Sequence, residues 1–220
     1  PRNVTLSLFN VISGGRSLVD LSFLRGASQL SVHNLRGFSL VLPTSVQKLT
    51  MGHDNEDVAV SGTEGLTSLR LVSKQTTTTP CPALRHLIWS GDRCSAQTLP
   101  SLHTTTLTSL VVDANYVDDD FPLPPHLRSL DLTVKIGPFN TSILATLTEL
   151  QRLELSLRHT TPVDLSAMTS LTSLGLFHNS FLHLPPSLVQ CFVRPTSDFD
   201  FSPLTNLTLL CVTLESDVRL

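Results

Sequence analysis

Charge is scarce in this chain. Asp, Glu, Lys and Arg make up 15% of its 220 residues, well below the usual quarter, and the formal net charge is −3. So small a balance gives no electrostatic case for DNA, RNA or an anionic membrane as partner. Long apolar runs are missing as well: none approaches the roughly 18 residues that span a bilayer. Motifs of catalysis are equally absent. There is no P-loop, no G-x-G-x-x-G after a strand, no C-x-x-C and no H-E-x-x-H. The chain is therefore expected not to be an enzyme, and no cofactor or metal is expected. It starts at Pro1, with no signal-peptide pattern, and is expected to be a fragment of a longer chain.

What is present is a repeat. Hydrophobic residues make up 40% of the chain, and 52 residues are Ser or Thr. A weakly charged, Ser/Thr-rich composition of this kind is not that of a disordered polyelectrolyte. Two apolar residues separated by one other recur at Leu6/Leu8, Leu30/Val32, Leu49/Met51, Leu69/Leu71, Leu87/Trp89 and Leu110/Val112. They continue at Leu130/Leu132, Leu153/Leu155, Leu174/Leu176, Cys191/Val193 and Leu210/Val212. Most have a further apolar residue three before the pair, such as Val46, Leu66, Leu84, Leu107, Leu127, Leu150, Leu171, Leu188 and Leu207. Side chains alternate along a strand, so each pair turns to one side. A spacing on the order of 20 residues is that of a stacked solenoid, in which each coil packs on its neighbours and no central core has to grow.

The clearest copy is Leu171 to Leu188, LTSLGLFHNSFLHLPPSL, with Leu171, Leu174, Leu176, Asn179, Phe181 and Leu184 at the offsets L-x-x-L-x-L-x-x-N-x-F-x-x-L. Here the sequence resembles the leucine-rich repeat family. The resemblance implies one domain over residues 1–220 of about eleven coils. Its fold would be an α/β-type solenoid, a right-handed superhelix with a curved parallel β-sheet on the concave side. Its convex arms would be mostly irregular, with single helical turns. The L-P-x-x-[LV] stretches at Leu42–Val46, Leu123–Leu127 and Leu184–Leu188 look like the short bacterial-type repeat. Proline there suits an extended arm leading into a strand and argues against helix. The family's Asn, three after the pair, bonds backbone groups between coils. Asn115 and Asn179 match it, Asp54 and Asp92 are possible substitutes, and Lys74, Lys135, Arg158 and Thr196 do not fit. Capping modules with tight cysteine clusters, common in extracellular members, have no counterpart here.

Between the pairs, Lys74 to Pro82 and Asp113 to Pro122 read as exposed loops. Ser142 to Leu153 alone has the apolar spacing of a short helix. Cys191 falls on a core position and reads as a buried thiol, while Cys81 and Cys94 flank one repeat and could pair. Sequons at Asn3, Asn140 and Asn206 are about as many as chance gives in a chain so rich in Ser and Thr. Ser13-Gly-Gly-Arg-Ser17 reads as a turn, His178 and His183 as surface histidines. The acidic runs His53–Asp57 and Asp118–Asp120 lack calcium-loop offsets and read as solvated loops.

Function should lie in the residues that the alternation turns outward. Those within the pairs read Ser31, Thr50, Arg70, Ile88, Val111, Asp131, Glu154, Gly175, Phe192 and Cys211, and those just after run from His33 and Gly52 to Arg194 and Thr213. From these columns an apolar patch of Val72, Ile88 and Val111 is expected. So is an acidic cluster of Asp113, Asp131 and Glu154, with Arg152 beside it, and an aromatic pair of Phe177 and Phe192. Adjacent Asp131 and Glu154 would repel by up to about 1 kcal/mol, which a partner's basic group would relieve, and exposed aromatics beside them are typical hot-spot material. The expected function is a protein–protein interaction scaffold that binds another protein or peptide, one with a basic segment, on the concave sheet. The alternatives are the substrate-recognition part of a secreted effector ubiquitin ligase and a structural cell-surface protein. Solvent-facing strand residues that simply drift would give the same columns. No polar cap is evident at either end, so Leu6 and Leu210 should each border an exposed apolar surface, open to end-to-end self-association.

Overall fold

The computed structural model describes residues 2–52, 55–72, 75–95, 106–119, 121, 123–158, 163–177, 181–194, 201 and 204–213, with the side chains of 2–16, 56, 75–78, 181 and 182 left out. The chain divides into two compact units, Pro1–Leu107 and Thr108–Leu220. Each is a parallel-strand β-solenoid, and the only helix among the described residues is one short 3-10 turn.

The first unit contains β1 (Arg2–Asp20), β2 (Ala27–Val41), β3 (Lys48–Met51), β4 (Glu56–Ser61), β5 (Ser68–Val72), β6 (Gln75–Thr78) and β7 (His86–Cys94). The expected pairs set its main ladder. Leu30 lies beside Leu49, Leu49 beside Leu69, and Leu69 beside Leu87, all in parallel. Leu30, Val32, Leu49, Met51, Leu69, Leu71, Leu87 and Trp89 are all buried. The arms are the surprise. The later half of β2 pairs β4, and β4 pairs β6, so the coils carry a second parallel ladder where irregular chain was expected. Its core residues are Leu40, Val58 and Val60. Lys74 to Pro82 is accordingly not all loop, since Gln75–Thr78 is strand. The physical reason is β-branching: Val58-Ala-Val60 alternates and Thr76 to Thr79 is stiff at χ1, and both suit a pleated surface.

The second unit contains β8 (Ser109–Val117), β9 (Ser129–Val134), η1 (Thr141–Thr146), β10 (Arg152–Leu157), β11 (Val163–Asp164), β12 (Ser173–Phe177), β13 (Phe181–His183), β14 (Gln190–Arg194) and β15 (Leu209–Val212). Strands β8, β9, β10, β12, β14 and β15 form one parallel ladder in that order, and β11 pairs β13 on the arms. Asp113 to Val117, read as loop, continues β8. The helix expected over 142–153 is only η1, capped by the Asn140 side chain on the Ser142 amide at 3.1 Å. Leu144, Leu147 and Leu150 are buried at a spacing of three, the eclipsed repeat of a 3-10 turn and not the 3.6 of an α-helix. The α/β expectation is corrected: the described arms are short strands, turns and irregular chain, and their one helix is a 3-10 turn.

One turn recurs ahead of the main strands. Val46, Leu66, Leu84, Leu127, Leu150, Leu171 and Leu188 each donate their N–H to the carbonyl three residues back. In the L-P-x-x-[LV] stretches the first Pro supplies that carbonyl, and Pro125 and Pro186 occupy the next position, where a fixed φ favours the turn. The two amides after the turn then share one carbonyl of the preceding coil, as Thr172 and Ser173 share that of Gln151 at 2.9 and 3.0 Å.

Ser and Thr add rungs between coils. The residue just before the turn's last position donates its hydroxyl to the preceding coil: Ser45 to the Ala27 carbonyl, Thr106 to Leu84 and Ser187 to Leu171, at 2.7–2.8 Å. Thr67, Thr172 and Thr208, one residue after that position, reach the carbonyls of Gln47, Gln151 and Val189 at 3.1–3.2 Å. His126 and Glu149 occupy the first of these columns and bridge neighbouring coils side chain to side chain at 2.8 Å.

One asparagine bond between coils is made by Asn55, which the sequence reading had placed in the solvated loop His53–Asp57. Asn55 is fully buried. Its Oδ1 accepts the Leu35 N–H at 2.8 Å, and its Nδ2 donates to the Val32 and Gly52 carbonyls at 3.0 and 3.1 Å. The expected substitute Asp92 is exposed in β7. Asp54, Asn179 and Thr196 lie outside the described residues. All four cysteines are thiols, with Cys81, Cys94 and Cys191 buried and Cys211 exposed, so Cys81 and Cys94 do not pair. Burial pushes the Cys191 thiol up to about 11. Leu210 and Val212 are 41% and 38% exposed, as expected of that end of the ladder. Leu6 lies among the residues whose side chains are not described.

Candidate functional site

The ladder of the second unit fixes which outward residues meet. Alternation buries Leu110, Val112, Leu130, Leu132, Leu153, Leu155, Leu174 and Leu176, so the residue between each pair faces out. Register then places Val111 beside Asp131, Asp131 beside Glu154, Glu154 beside Gly175, and Gly175 beside Phe192. The next outward row runs Asp113, Thr133, Ser156, Phe177 and Arg194. The expected acidic cluster and aromatic pair are thus on one face of one sheet.

Electrostatics within the cluster are uneven. Asp113 meets the Lys135 ammonium at 2.7 Å, a partner the sequence reading had treated only as a failed asparagine position. Glu154 is held by Arg152 two residues earlier on the same strand. Asp131 lies between these two ion pairs and has neither a hydrogen bond nor a cation within ion-pair distance among the described residues. Burial, followed by the charges of Glu154 and Asp113, holds its carboxyl above the usual range, with Arg152 opposing. In the folded protein Asp131 therefore keeps its proton to higher pH than in the unfolded chain. Its charge weakens the fold above the folded pKa, and this penalty disappears below the unfolded pKa. Asp131→Asn is accordingly expected to raise the melting temperature at pH 7, with the gain closing as pH falls to about 3. A gain that stays constant across that range would rule out the electrostatic cause.

Phe177 is 41% exposed and Phe192 half-buried. They sit diagonally on neighbouring strands, within reach of large side chains, with the buried Gly175 beside Phe192 in the register. A Cβ on Gly175 would lie 3.1 Å from Glu154 Cγ and 3.4 Å from Phe177 Cε2, so the Phe177 ring folds back over the glycine. Acidic and aromatic halves meet over this buried glycine.

The expected apolar patch does not form as drawn. Val72 is buried, as is Leu71 before it, so the in–out alternation of β5 ends at Leu71. The neighbouring β3 also stops one residue short of this level, at Met51. Ile88 is half-buried and faces Arg70 on the adjacent strand, while Val111 belongs to the other unit, beside Asp131. Among the exposed apolar residues that were missed are Tyr116 and Ile136, 42% and 46% exposed, where β8 and β9 end. The signal was Gly137, whose Cβ would come 2.8 Å from Tyr116 Cδ1, a glycine kept small beneath a ring.

Among the described residues no group of three His, Cys, Asp or Glu side chains could hold a metal, and no helix is long and apolar enough to cross a membrane. No protein-family model matches the chain, and no curated protein matches it, so the site is defined by its geometry alone.

Proposed function

We propose that the outward face of the second unit's sheet is a protein-recognition surface for an extended, basic segment of a partner. One observation carries this reading: Asp131, an acid with no ion-pair partner among the described residues and set between two ion pairs, shares a row of the sheet with Phe192. A Thr at position 131 would suit the strand without the repulsion from Glu154 and Asp113, and keeping a destabilising charge is common where function needs it. Desolvated acids that gain a cation on binding, next to aromatic anchors, are the usual makings of a hot spot. The repeat pattern supports the same reading, since leucine-rich repeat proteins, which this chain resembles, generally serve as binding scaffolds; fold alone does not fix that.

The test is the double variant Asp131→Lys/Glu154→Lys, screened with the unaltered chain against a random peptide library. The unaltered chain should select peptides enriched in Lys or Arg, and the variant should lose them by tenfold or more while keeping its melting temperature within a few degrees. Selection of the same peptides by both proteins would sink the reading. Loss of folding in the variant would assign the two carboxylates a structural role instead.

A further inference from the structure

The register of this face also specifies the spacing of what it binds. We infer, resting on the recognition reading above, that the partner is an extended segment crossing the strands, with a Lys or Arg four residues from a large apolar side chain. Asp131, Glu154, Gly175 and Phe192 occupy one row on four successive strands, β9, β10, β12 and β14. Neighbouring strands lie about 4.8 Å apart, so Asp131 and Phe192 are separated by three spacings, about 14 Å. An extended chain advances roughly 3.4 Å per residue, and residues separated by an even number point the same way. Position i+4 therefore reaches Phe192 when position i reaches Asp131, with both side chains facing the sheet. Separations of two or six fall short or overshoot by about 7 Å, and odd separations turn one side chain away.

The position midway, i+2, also faces the sheet and lies over Glu154 and Gly175. Little room is left there. The absent Cβ of Gly175 already has Glu154 Cγ at 3.1 Å and Phe177 Cε2 at 3.4 Å. The segment is thus read as cation, any, small, any, apolar, in either chain direction. Gly175, buried under Glu154 and Phe177, offers no side-chain seat midway; Asp131 supplies the charge that a cation satisfies, and Phe177 with Phe192 supplies the apolar seat. Glu154 is already held by Arg152, which leaves Asp131 as the acid to be filled.

The spacing is tested with synthetic peptides carrying one Lys and one Leu separated by two, four or six positions, in both orders, with Gly or Ala between. Fluorescence anisotropy against the full chain should give at least about tenfold tighter binding at a separation of four, roughly 1.4 kcal/mol. Asp131→Asn should weaken the Lys peptide but not one with norleucine in place of Lys, and Phe192→Ala should weaken both. Replacing the midway Gly by Val should abolish the advantage. Equal binding at all separations overturns the spacing and leaves the recognition surface standing. Binding that ignores both Asp131→Asn and Phe192→Ala overturns the spacing and the surface together.

Discussion

Asn55→Ala is expected to destabilise the first unit by about 3 kcal/mol, among the larger losses a single substitution in this chain should cause. The side chain is fully buried and joins three backbone groups, the Leu35 amide and the Val32 and Gly52 carbonyls. The carbonyls have second donors: Val32 accepts the Gly52 N–H at 2.9 Å and Gly52 that of Asn55 at 3.4 Å. Leu35, inside β2, donates its N–H to the Asn55 Oδ1, so that N–H carries most of the penalty, on the order of 1–3 kcal/mol for an unmet buried donor. Asn55→Asp should fare no better. It keeps an acceptor for Leu35 but sets a carboxylate oxygen against two carbonyls, and a buried charge without a partner is costlier still. The chain's one tryptophan, Trp89, lies buried in β7 of the same unit, so its fluorescence reports urea unfolding there. Amide exchange at Leu35 gives a local readout. A loss under about 1 kcal/mol with Leu35 still protected would mean that water replaces the side chain.

That residue also marks how far the sequence was legible. The Leu-x-Leu pairs were readable because alternation and burial obey the same period, and the pairs that fall on neighbouring described strands stand side by side in register. Asn55 was not readable from the motif, which expects the amide three after the pair, at Asp54. The chain turns at Gly52, whose N–H bonds Val32, and the inward position is shifted by one residue. The second ladder of the first unit was hidden for a different reason. Val58-Ala-Val60 is too short to stand out beside leucine pairs, and only stacking on Leu40 makes it a strand. The helix read over 142–153 failed because Leu144, Leu147 and Leu150 fit a period of three as well as one of 3.6.

On the candidate face, register was legible and partnership was not. A strand period says that Asp131 lies beside Glu154. It does not say that Lys135, past the end of β9, turns back to Asp113, or that Arg152 takes Glu154. Those two ion pairs change the meaning of the cluster, from acids with one cation beside them to one acid without an ion-pair partner among the described residues and two supported neighbours. Val72 shows the converse error: the period was extended one residue beyond the end of the ladder that enforces it. Ser and Thr were the least legible of all, since hydroxyls that bond the preceding coil and hydroxyls that face water look alike in composition.

Gly62→Ala should cost about 3 kcal/mol or more, whereas Gly26→Ala, at nearly the same backbone angle, should cost about 1 kcal/mol. Both glycines have left-handed φ, +75° at Gly62 and +82° at Gly26, so an alanine pays the same conformational penalty at each. Space separates them. At Gly26 a Cβ meets nothing within 4 Å, while at Gly62 it would lie 2.6 Å from the Leu42 carbonyl oxygen and 3.3 Å from its nitrogen. Those are backbone atoms of the neighbouring coil, bonded to this one through the Leu42 N–H on the Ser61 carbonyl at 2.9 Å. They cannot swing aside as a side chain would. Relief requires the coils to part where they are bonded, lengthening the Leu42–Ser61 bond and loosening the β2–β4 ladder. Urea unfolding followed by Trp89 fluorescence compares the two variants directly. Equal losses would mean that the backbone angle alone sets the cost and that the second ladder can spread freely. A larger loss at Gly62, with faster exchange of the Leu42 amide, would show that close approach of coils on the arm side requires this glycine.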